Sequence, residues 1–258
     1  MNPVYRSLAV LVLGITALGV ANAVPLPVAT YSFNNTLASG VAGAPSLVAT
    51  DPLGLSGFGT DTVFGNTQTV YNFNGLESPV TDQAGLTLNT TGLLTNNSIY
   101  SVEMIFKFTQ RQNAWRRILD VENRQSDNGF YVDPANNLNV FPIGGGSAFT
   151  NDVYHDVFLV NNNGSVTFYL DGSAQATVAT SEMNIDSLNP LMNFFLDNVV
   201  AGGQFEYSNG SIAYIGLYNA ALTELPPPPI SPVPVPASLA LLGLGLAGLG
   251  FNRRRKPV

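Results

Sequence analysis

The feature that most restricts the fold of this chain is an alternation of apolar and polar residues with a period of two. Residues 166–170 (VTFYL) and 211–218 (SIAYIGLY) follow it, which places every second side chain on one face of a β-strand. Turn-forming clusters such as NNNG at 161–164 and DG at 171–172 separate these segments. Between residues 24 and 225 no long stretch has the period of an amphipathic helix. The sequence therefore predicts an all-β fold, an antiparallel β-sandwich jelly roll of many short strands.

One hairpin is predicted in detail. Residues 154–160 and 165–170 are strand-like and flank the NNNG turn. A strand pair joined by Asn-Gly is a strong local signal for an antiparallel hairpin.

The composition excludes several classes of protein. Only 10% of the 258 residues are charged and there is no Cys. Such a chain is neither a coiled coil nor a highly charged disordered protein. Without Cys it has no disulfide framework, thiolate metal site or Cys nucleophile.

The charge is distributed unevenly along the chain. Arg6 and residues 253–256 lie at the two ends, whereas all 17 acidic residues lie between Asp51 and Glu224. The body between the ends carries five basic and 17 acidic residues, a net charge of −12. A body with this charge repels nucleic acid and anionic lipid, so we expect no nucleic-acid partner.

The N-terminus has the layout of a secretory signal peptide. Arg6 precedes an apolar run over residues 8–20, and Ala21 and Ala23 form an A-x-A cleavage site. The prediction is a signal peptide over residues 1–23, removed by signal peptidase, with a mature chain from Val24. The alternative is an uncleaved membrane anchor.

The C-terminus combines a Pro-rich segment, a short apolar segment and a basic cluster. Residues 226–236 are rich in Pro, which favours an extended, solvated spacer. The uniformly apolar residues 237–251 would form about 22 Å of helix, short against a hydrocarbon core of about 30 Å. The basic residues that follow, within a tail ending at residue 258, should stay in the cytoplasm and leave the body outside the inner membrane.

This C-terminal arrangement resembles the PEP-CTERM sorting signal of Gram-negative bacteria. The resemblance rests on Pro234, Val235, Pro236, the apolar segment and the cluster Arg253, Arg254 and Arg255, with Val235 where the motif has Glu. It implies processing by an exosortase, transient anchoring by the C-terminal helix and a place at the cell surface or in the matrix. The family is associated with exopolysaccharide and biofilm. An uncleaved single-pass anchor is the alternative.

The body resembles LamG-like domains of the concanavalin A-like lectin/glucanase family. The segments that carry the resemblance are 31–34, 71–75, 100–108, 154–157 with 166–172, and 210–222, which ends in an Ile-rich strand followed by YNAAL. The resemblance implies one jelly roll of two antiparallel sheets over residues 24–225. This fold hosts lectins, adhesion modules, glycosidases and lyases, so it does not fix the function.

The residues give little support for catalysis. Glycosidases need two suitably spaced carboxyl groups, and the E-x-D-x-x-E strand of the family's glucanases is missing. Asp120 and Glu122 are the nearest candidates, without a third acid on their face. The lone His155 is expected to form hydrogen bonds within the sandwich. We therefore expect a protein that is not an enzyme.

Calcium is a possible cofactor of this acidic, oxygen-rich body. Relatives often carry a structural Ca²⁺ held partly by an acid in the last strand, a position occupied here by Ala213. The candidate ligands lie in loops: Asp127, Asn128, Asp197 and Asn198.

A sugar site is suggested around the single Trp. Trp115 lies among Arg111, Arg116 and Arg117, and an indole can stack on a sugar ring while Arg binds acidic groups. The alternative, which is the commoner arrangement, is that Trp115 packs in a core strand while the Arg side chains lie in water.

Taken together, the sequence predicts a secreted, exosortase-sorted bacterial protein with a lectin-like or adhesion module that binds extracellular polysaccharide. Two alternatives stay open at this point. One is a polysaccharide-degrading enzyme on the same fold, and the other is a structural matrix protein without a ligand.

Overall fold

The computed structural model describes residues 24–200 and 204–230. The predicted signal peptide with Ala21 and Ala23, and the sorting signal from Pro234 to Arg255 with its apolar helix, lie outside these residues. Among the residues described, no helix is long and apolar enough to cross a membrane.

The described chain is built almost entirely of β-strands, as the alternation predicts. Apart from them it contains one short 3₁₀ turn, Val80–Asp82. The strands are β1 (Ala29–Tyr31), β2 (Val48–Thr50), β3 (Gly57–Val63), β4 (Asn66–Phe73), β5 (Gly85–Asn89), β6 (Ile99–Phe108), β7 (Arg116–Asp120), β8 (Gly129–Val132), β9 (Asn137–Phe141), β10 (Gly144–Ala148), β11 (His155–Asn162), β12 (Ser165–Leu170), β13 (Ser173–Ala179), β14 (Leu191–Phe194) and β15 (Gly210–Tyr218).

The strands form two antiparallel sheets. The larger has the order β13-β12-β11-β6-β15-β4-β3, and β1 pairs with the second half of β15. The smaller has the order β10-β9-β8-β7-β14-β5-β2. Because neighbours in each sheet are often distant in sequence, this is a jelly-roll sandwich rather than a simple meander.

The main core lies between the sheets and is strongly aromatic. On β6 every second residue, including Tyr100, Met104 and Phe108, points into it. The rings of Phe73 and Phe195 stack across the core with centroids 4.0 Å apart. This burial on one face of each strand is the physical basis of the sequence alternation.

Positive φ angles fix the tight hairpins. The turn between β11 and β12 contains Asn163 and Gly164 at φ 52° and 85°, and the turn between β12 and β13 contains Asp171 and Gly172 at φ 51° and 77°. Two-residue turns of this kind match the twist of the strands they join. The predicted hairpin is confirmed, with Asn162 paired to Ser165.

A C-terminal segment, residues 219–230, covers part of the outer face of the larger sheet. The Ser101 hydroxyl donates to the Ala220 carbonyl and accepts from the Leu222 amide. At the far end, the Asn66 side chain donates to the Ile230 carbonyl at 3.2 Å. Within the Pro-rich segment Pro226, Pro228 and Ile230 are half-buried, whereas Pro227 and Pro229 are exposed. The spacer over residues 226–236 stays a prediction. Among the described residues, 24–200 and 204–230, the chain forms two sheets and three hydrophobic clusters.

Candidate functional site

Two pockets lie on the outer face of the larger sheet, and Phe64 contributes to both. The first has a volume of about 360 Å³ and the second about 320 Å³. We call the two together the outer groove. The first pocket is lined by Phe64, Asp156, Asp171, Gly172, Leu225, Pro226 and Pro228. The second is lined by Asp61, Thr62, Phe64, Lys107, Asp152, Val153 and Tyr154.

Phe64 is held in an unusual backbone conformation at the boundary between the pockets. Together with Gly65 it forms the turn between β3 and β4, at φ 48° and 82°. A bulky residue in the left-handed region is rare and costs roughly 1–2 kcal/mol. Its side chain nevertheless stays 40% exposed. The turn thus presents an aromatic ring to the groove at a cost in stability.

Strands β6 and β11 bring carboxyl groups together at the first pocket. Glu103 on β6 pairs with Phe158 on β11, and Ile105 on β6 pairs with Asp156 on β11. The side chains of these two pairs lie on the same face of the sheet, so Glu103 and Asp156 are diagonal neighbours. The Tyr218 hydroxyl donates to Glu103 Oε2 at 3.0 Å. Glu103 is 1% exposed and Asp156 is 8% exposed.

Burial makes these two carboxyl groups weak acids. Burial, with the nearby charge of Asp156, raises the pKa of Glu103 to about 8. Burial, with the charge of Asp171, raises the pKa of Asp156 to about 6. No hydrogen-bond partner among the described residues reaches Glu103 Oε1 or Asp156 Oδ1.

Asp171 is oriented by His155 at the rim of the same pocket. Its carboxylate is 2.8 Å from His155 Nδ1 and accepts a hydrogen bond from the Asp156 amide at 3.0 Å. Burial alone would raise the pKa of Asp171, but these hydrogen bonds hold it below the ordinary value. The other ring nitrogen of His155 is 3.2 Å from the Thr150 backbone. His155 thus forms hydrogen bonds within the domain, as expected from the sequence.

The second pocket contains an ion pair and a phenol. Lys107 Nζ lies 2.7 Å from Asp61 Oδ2 and 4.9 Å from the centre of the Tyr154 ring. The Tyr154 hydroxyl donates to the same carboxylate oxygen at 2.9 Å. Burial would raise the pKa of Asp61, but the bonds from Lys107, Thr62 and Tyr154 bring it below the ordinary value. This half of the groove therefore offers a cation, a carboxylate and an aromatic ring.

Three of the four predicted calcium ligands do lie together, in a cluster at the smaller sheet. The Asn198 side chain donates to Asp127 Oδ1 at 3.0 Å and to Asp197 Oδ1 at 3.3 Å. The Arg117 guanidinium lies 3.9 Å from Asp197 Oδ1 and donates to the Asn128 carbonyl at 2.8 Å. Oxygen atoms that could bind a cation thus already accept from N–H groups. Among the described residues, no group of three or more His, Cys, Asp or Glu is arranged to hold a metal ion.

Ala213 adds no ligand of its own. It lies at the bulge in β15 where the register with β6 shifts between Ile212 and Tyr214. Its side chain packs into a small apolar cluster on the outer face. Calcium binding stays an untested prediction of the sequence, and the hydrogen bonds that these loop oxygens already accept weigh against it.

Arg116 and Arg117 are fully buried, so the expectation that their side chains lie in water is wrong. Arg116 donates to the side-chain oxygens of Asn136, at 2.7 Å, and of Asn151. Its guanidinium lies near the rings of Phe108 and Phe149. Arg117 lies over the Tyr131 ring at 4.7 Å. Buried inside the protein and bonded to it, neither guanidinium is placed to bind a sugar at the surface.

Trp115 and Arg111 are the members of the predicted sugar site that reach the surface. Trp115 is half-buried and packs edge-on against Tyr131 and Phe141, with centroids 5.5 and 5.4 Å away. It is therefore not in the core between the sheets. Arg111 forms an ion pair with Glu77. Sugar binding by this pair stays a prediction.

The two candidate catalytic acids, Asp120 and Glu122, lie in different environments. Asp120 is fully buried, accepts from the Asn193 side chain at 3.0 Å and lies 3.4 Å from Arg117 Nη1. Glu122 lies beyond the end of β7, half-buried, with its pKa raised by burial and by Glu182 and Asp120. Asp120 is thus bonded within the protein, and the pair does not flank either pocket described above.

A family profile decides the classification of the domain. The profile of the concanavalin A-like lectin/glucanases superfamily matches residues 80–225, more than half of the 258-residue chain. The chain belongs to this superfamily. The superfamily resemblance drawn from the strand motifs and the predicted jelly roll are both confirmed. The profile of the PEP-CTERM protein-sorting motif matches residues 232–256, which confirms the sorting-signal resemblance.

Solved structures show the same superfamily fold at low sequence identity. Domain 4 of AbnA, a GH43 extracellular arabinanase from Geobacillus stearothermophilus solved with arabinotriose, is 15% identical, with a TM-score of 0.57, over 78% of this chain and 96% of that one. The binding domain of botulinum neurotoxin DC, in complex with SialylT, is 11% identical with a TM-score of 0.52, over 77% of this chain and 48% of that one. These likenesses show the fold alone. Comparison with curated proteins gives no match.

Sequence reasoning missed the residues of the outer groove. Phe64 lies in the β3–β4 turn, whereas Glu103 and Asp156 lie on β6 and β11, so they form no linear motif. A usable signal was present at Glu103, because an acid stands within the apolar strand segment VEMIF. An ionisable residue in the middle of a buried strand points to a special environment.

Proposed function

We propose that this protein is a bacterial surface or matrix protein whose concanavalin A-like domain binds carbohydrate of an extracellular polysaccharide. The sorting motif supports export and exosortase processing. The superfamily includes lectins and supports carbohydrate as the ligand class. A solved relative of the same fold carries arabinotriose.

The observation that carries this proposal is the outer groove. Carbohydrate sites combine an aromatic or apolar surface for the C–H face of a sugar ring with a few placed polar groups for its hydroxyls. Phe64 and Tyr154 supply rings, and Asp61, Asp156 and Lys107 supply polar groups. Two adjoining pockets with a shared aromatic boundary suit an oligosaccharide better than a single small molecule.

The proposed route to the cell surface has three steps. Export through the inner membrane of a Gram-negative cell is followed by cleavage after Ala23 by signal peptidase. The apolar residues 237–251 then hold the protein transiently in the membrane, until an exosortase processes the tail. The basic cluster at Arg253 to Arg255 stays on the cytoplasmic side.

We propose binding without catalysis. The pair Glu103 and Asp156, with pKa values of about 8 and 6, favours a glycosidase, because such enzymes use two carboxyl groups of different acidity. Glu103, however, is 1% exposed and bonded to Tyr218. A scissile bond in the first pocket would meet Asp156 but not Glu103, which does not line the pocket.

The test is binding of residues 24–230 to a panel of neutral, acidic and amino-sugar polysaccharides, with released reducing ends followed in parallel. We expect saturable binding without release. Substitution Phe64→Ala should weaken binding at least about tenfold, equivalent to about 1.4 kcal/mol of lost stacking.

Phe58→Ala is the matched control. Phe58 lies on the same hairpin, at 37% exposure against 40% for Phe64, and lines neither pocket. Trp115→Ala tests the site suggested by the sequence. Loss of binding in the Trp115 variant alone would move the site to the smaller sheet, and release of reducing ends would make the protein an enzyme.

A further inference from the structure

The first pocket of the outer groove contains acidic and apolar groups and no basic side chain among its lining residues. Asp156 and Asp171 supply the carboxyl groups. The walls are the side chains of Phe64, Leu225, Pro226 and Pro228. Lys107 lines the second pocket and is paired with Asp61 at 2.7 Å, and His155 contacts the outer carboxylate of Asp171 at 2.8 Å. The pocket is thus built for a ligand that brings its own hydrogen-bond donors.

Asp156 is the group in the pocket that lacks a partner. It is 8% exposed, yet Oδ1 accepts no hydrogen bond from any described residue. The same holds for Oε1 of its neighbour Glu103. A buried carboxylate oxygen without a donor is costly, and a cationic donor is the strongest compensation.

We propose that this pocket binds the free ammonium group of an unacetylated amino sugar, with the sugar ring packed between Phe64 and the prolines of the C-terminal segment. This inference rests on the proposed function and specifies its ligand. An ammonium group has three donors, which suit the Asp156 carboxylate in the pocket. The rim carboxylate of Asp171, already bonded to His155 and to the Asp156 amide, adds negative charge beside it. The apolar lining residues suit the C–H face of a pyranose.

The charge of the whole domain agrees with this ligand. The body carries a net charge of −12, which attracts a polycationic glycan and repels a polyuronate. Burial and Asp171 raise the pKa of Asp156 to about 6, so an ammonium placed beside it would stabilise the charged form. An N-acetylated sugar has neither the charge nor the three donors.

Four oligosaccharides of equal length test the ligand class by calorimetry with residues 24–230. They are β-1,4-linked tetramers of glucosamine, N-acetylglucosamine and glucose, and a tetramer of galacturonate. We expect the glucosamine tetramer to bind at least about tenfold more tightly than the N-acetylated and neutral tetramers. The galacturonate tetramer should bind most weakly.

Asp156→Asn tests the site. The change keeps the shape of the side chain and removes its charge, so we expect the glucosamine tetramer to lose at least about tenfold in affinity. Glu224→Gln removes a charge from an exposed residue of the C-terminal segment that does not line the pocket, and should change affinity less than about twofold.

The outcomes separate this inference from the proposed function. Equal binding of glucosamine and N-acetylglucosamine tetramers would overturn the ammonium site and leave carbohydrate binding intact. Equal losses in the Asp156 and Glu224 variants would mean diffuse attraction and would also overturn the site. Absence of binding by any glycan would overturn both.

Discussion

Buried acids in this domain differ in whether a cation accompanies them. Asp120 and Asp197 lie beside the Arg117 guanidinium, at 3.4 and 3.9 Å. Glu103 and Asp156 have no such partner among the described residues, and burial raises the pKa of each. A partner cation offsets part of the cost of burying a charge, whereas an unpaired buried acid keeps that cost and marks a place where a ligand can supply the missing charge.

Removing the buried Arg117 guanidinium should destabilise the domain strongly. Arg117→Ala leaves two buried acids uncompensated, and we expect the free energy of unfolding to fall by about 3–5 kcal/mol. Arg111→Ala breaks an ion pair at the surface and should cost no more than about 1 kcal/mol. Urea unfolding of both variants measures the difference. Similar losses in the two variants would contradict a structural role for Arg117.

Glu103 should make stability depend on pH. Its pKa is raised from 4.5 to about 8 in the folded chain, so between these values the folded state holds more protons than the unfolded state. The free energy of unfolding therefore falls as pH rises through this range and levels off above it.

Glu103→Gln should reduce this slope, leaving the smaller contribution of Asp156. At pH of about 9 the variant should be more stable than the parent by at least about 1.4 kcal/mol, the equivalent of one pKa unit. Chemical unfolding at several pH values measures this, with the exposed Glu224→Gln as control. If the free energy of unfolding of parent and variant followed parallel pH profiles, ionisation of Glu103 would cost the folded state no stability.

At the scale of elements, strands and hairpins were predictable and their lateral contacts were not. The alternation and the Asn-Gly turn located β11, β12 and β15 because these signals are local. The outer groove depends on which strands become neighbours, which no local pattern encodes. Arg116 and Arg117 were expected in water, but Asn136, Asn151 and Asp197 provide partners from distant segments, beside Asp120 of the same strand.

The C-terminal segment gives a prediction of its own. A chain that ends at Leu225 loses the hydrogen bond from Asn66 to Ile230 and the contact of Ile230 with the cluster that contains Val63 and Tyr154. Compared with a chain that ends at Ile230, it should be less stable by about 1–2 kcal/mol. Thermal unfolding of the two chains compares them. A chain carrying Pro229→Ala, at an exposed position, should unfold like the longer chain, and equal stability of the short and long chains would mean that the segment does not pack on the sheet.

At the scale of the molecule, charge and fold act together. The body has a net charge of −12, so its acidic groups repel one another when salt is low. The jelly roll keeps stability through its aromatic core and tolerates this charge. The same charge leaves the surface suited to cations, either as metal ions or as groups on a ligand.

The response of thermal stability to NaCl and to CaCl₂ shows whether the acidic surface binds a metal ion or only repels itself. Raising NaCl from about 20 mM to about 300 mM shortens the Debye length from roughly 20 Å to below 8 Å and screens the repulsion, so Tm of residues 24–230 should rise. CaCl₂ at equal ionic strength should raise Tm no further, because the oxygen atoms of Asp127, Asp197 and Asn128 already accept hydrogen bonds from Asn198 and Arg117. Asp127→Asn serves as control. If an ion binds in these loops, this substitution removes one of its ligands and should abolish the calcium response. A metal site in these loops would be established if calcium raised Tm further, EDTA reversed the rise and Asp127→Asn abolished it. Arg117 and the ion would then share one acidic cluster.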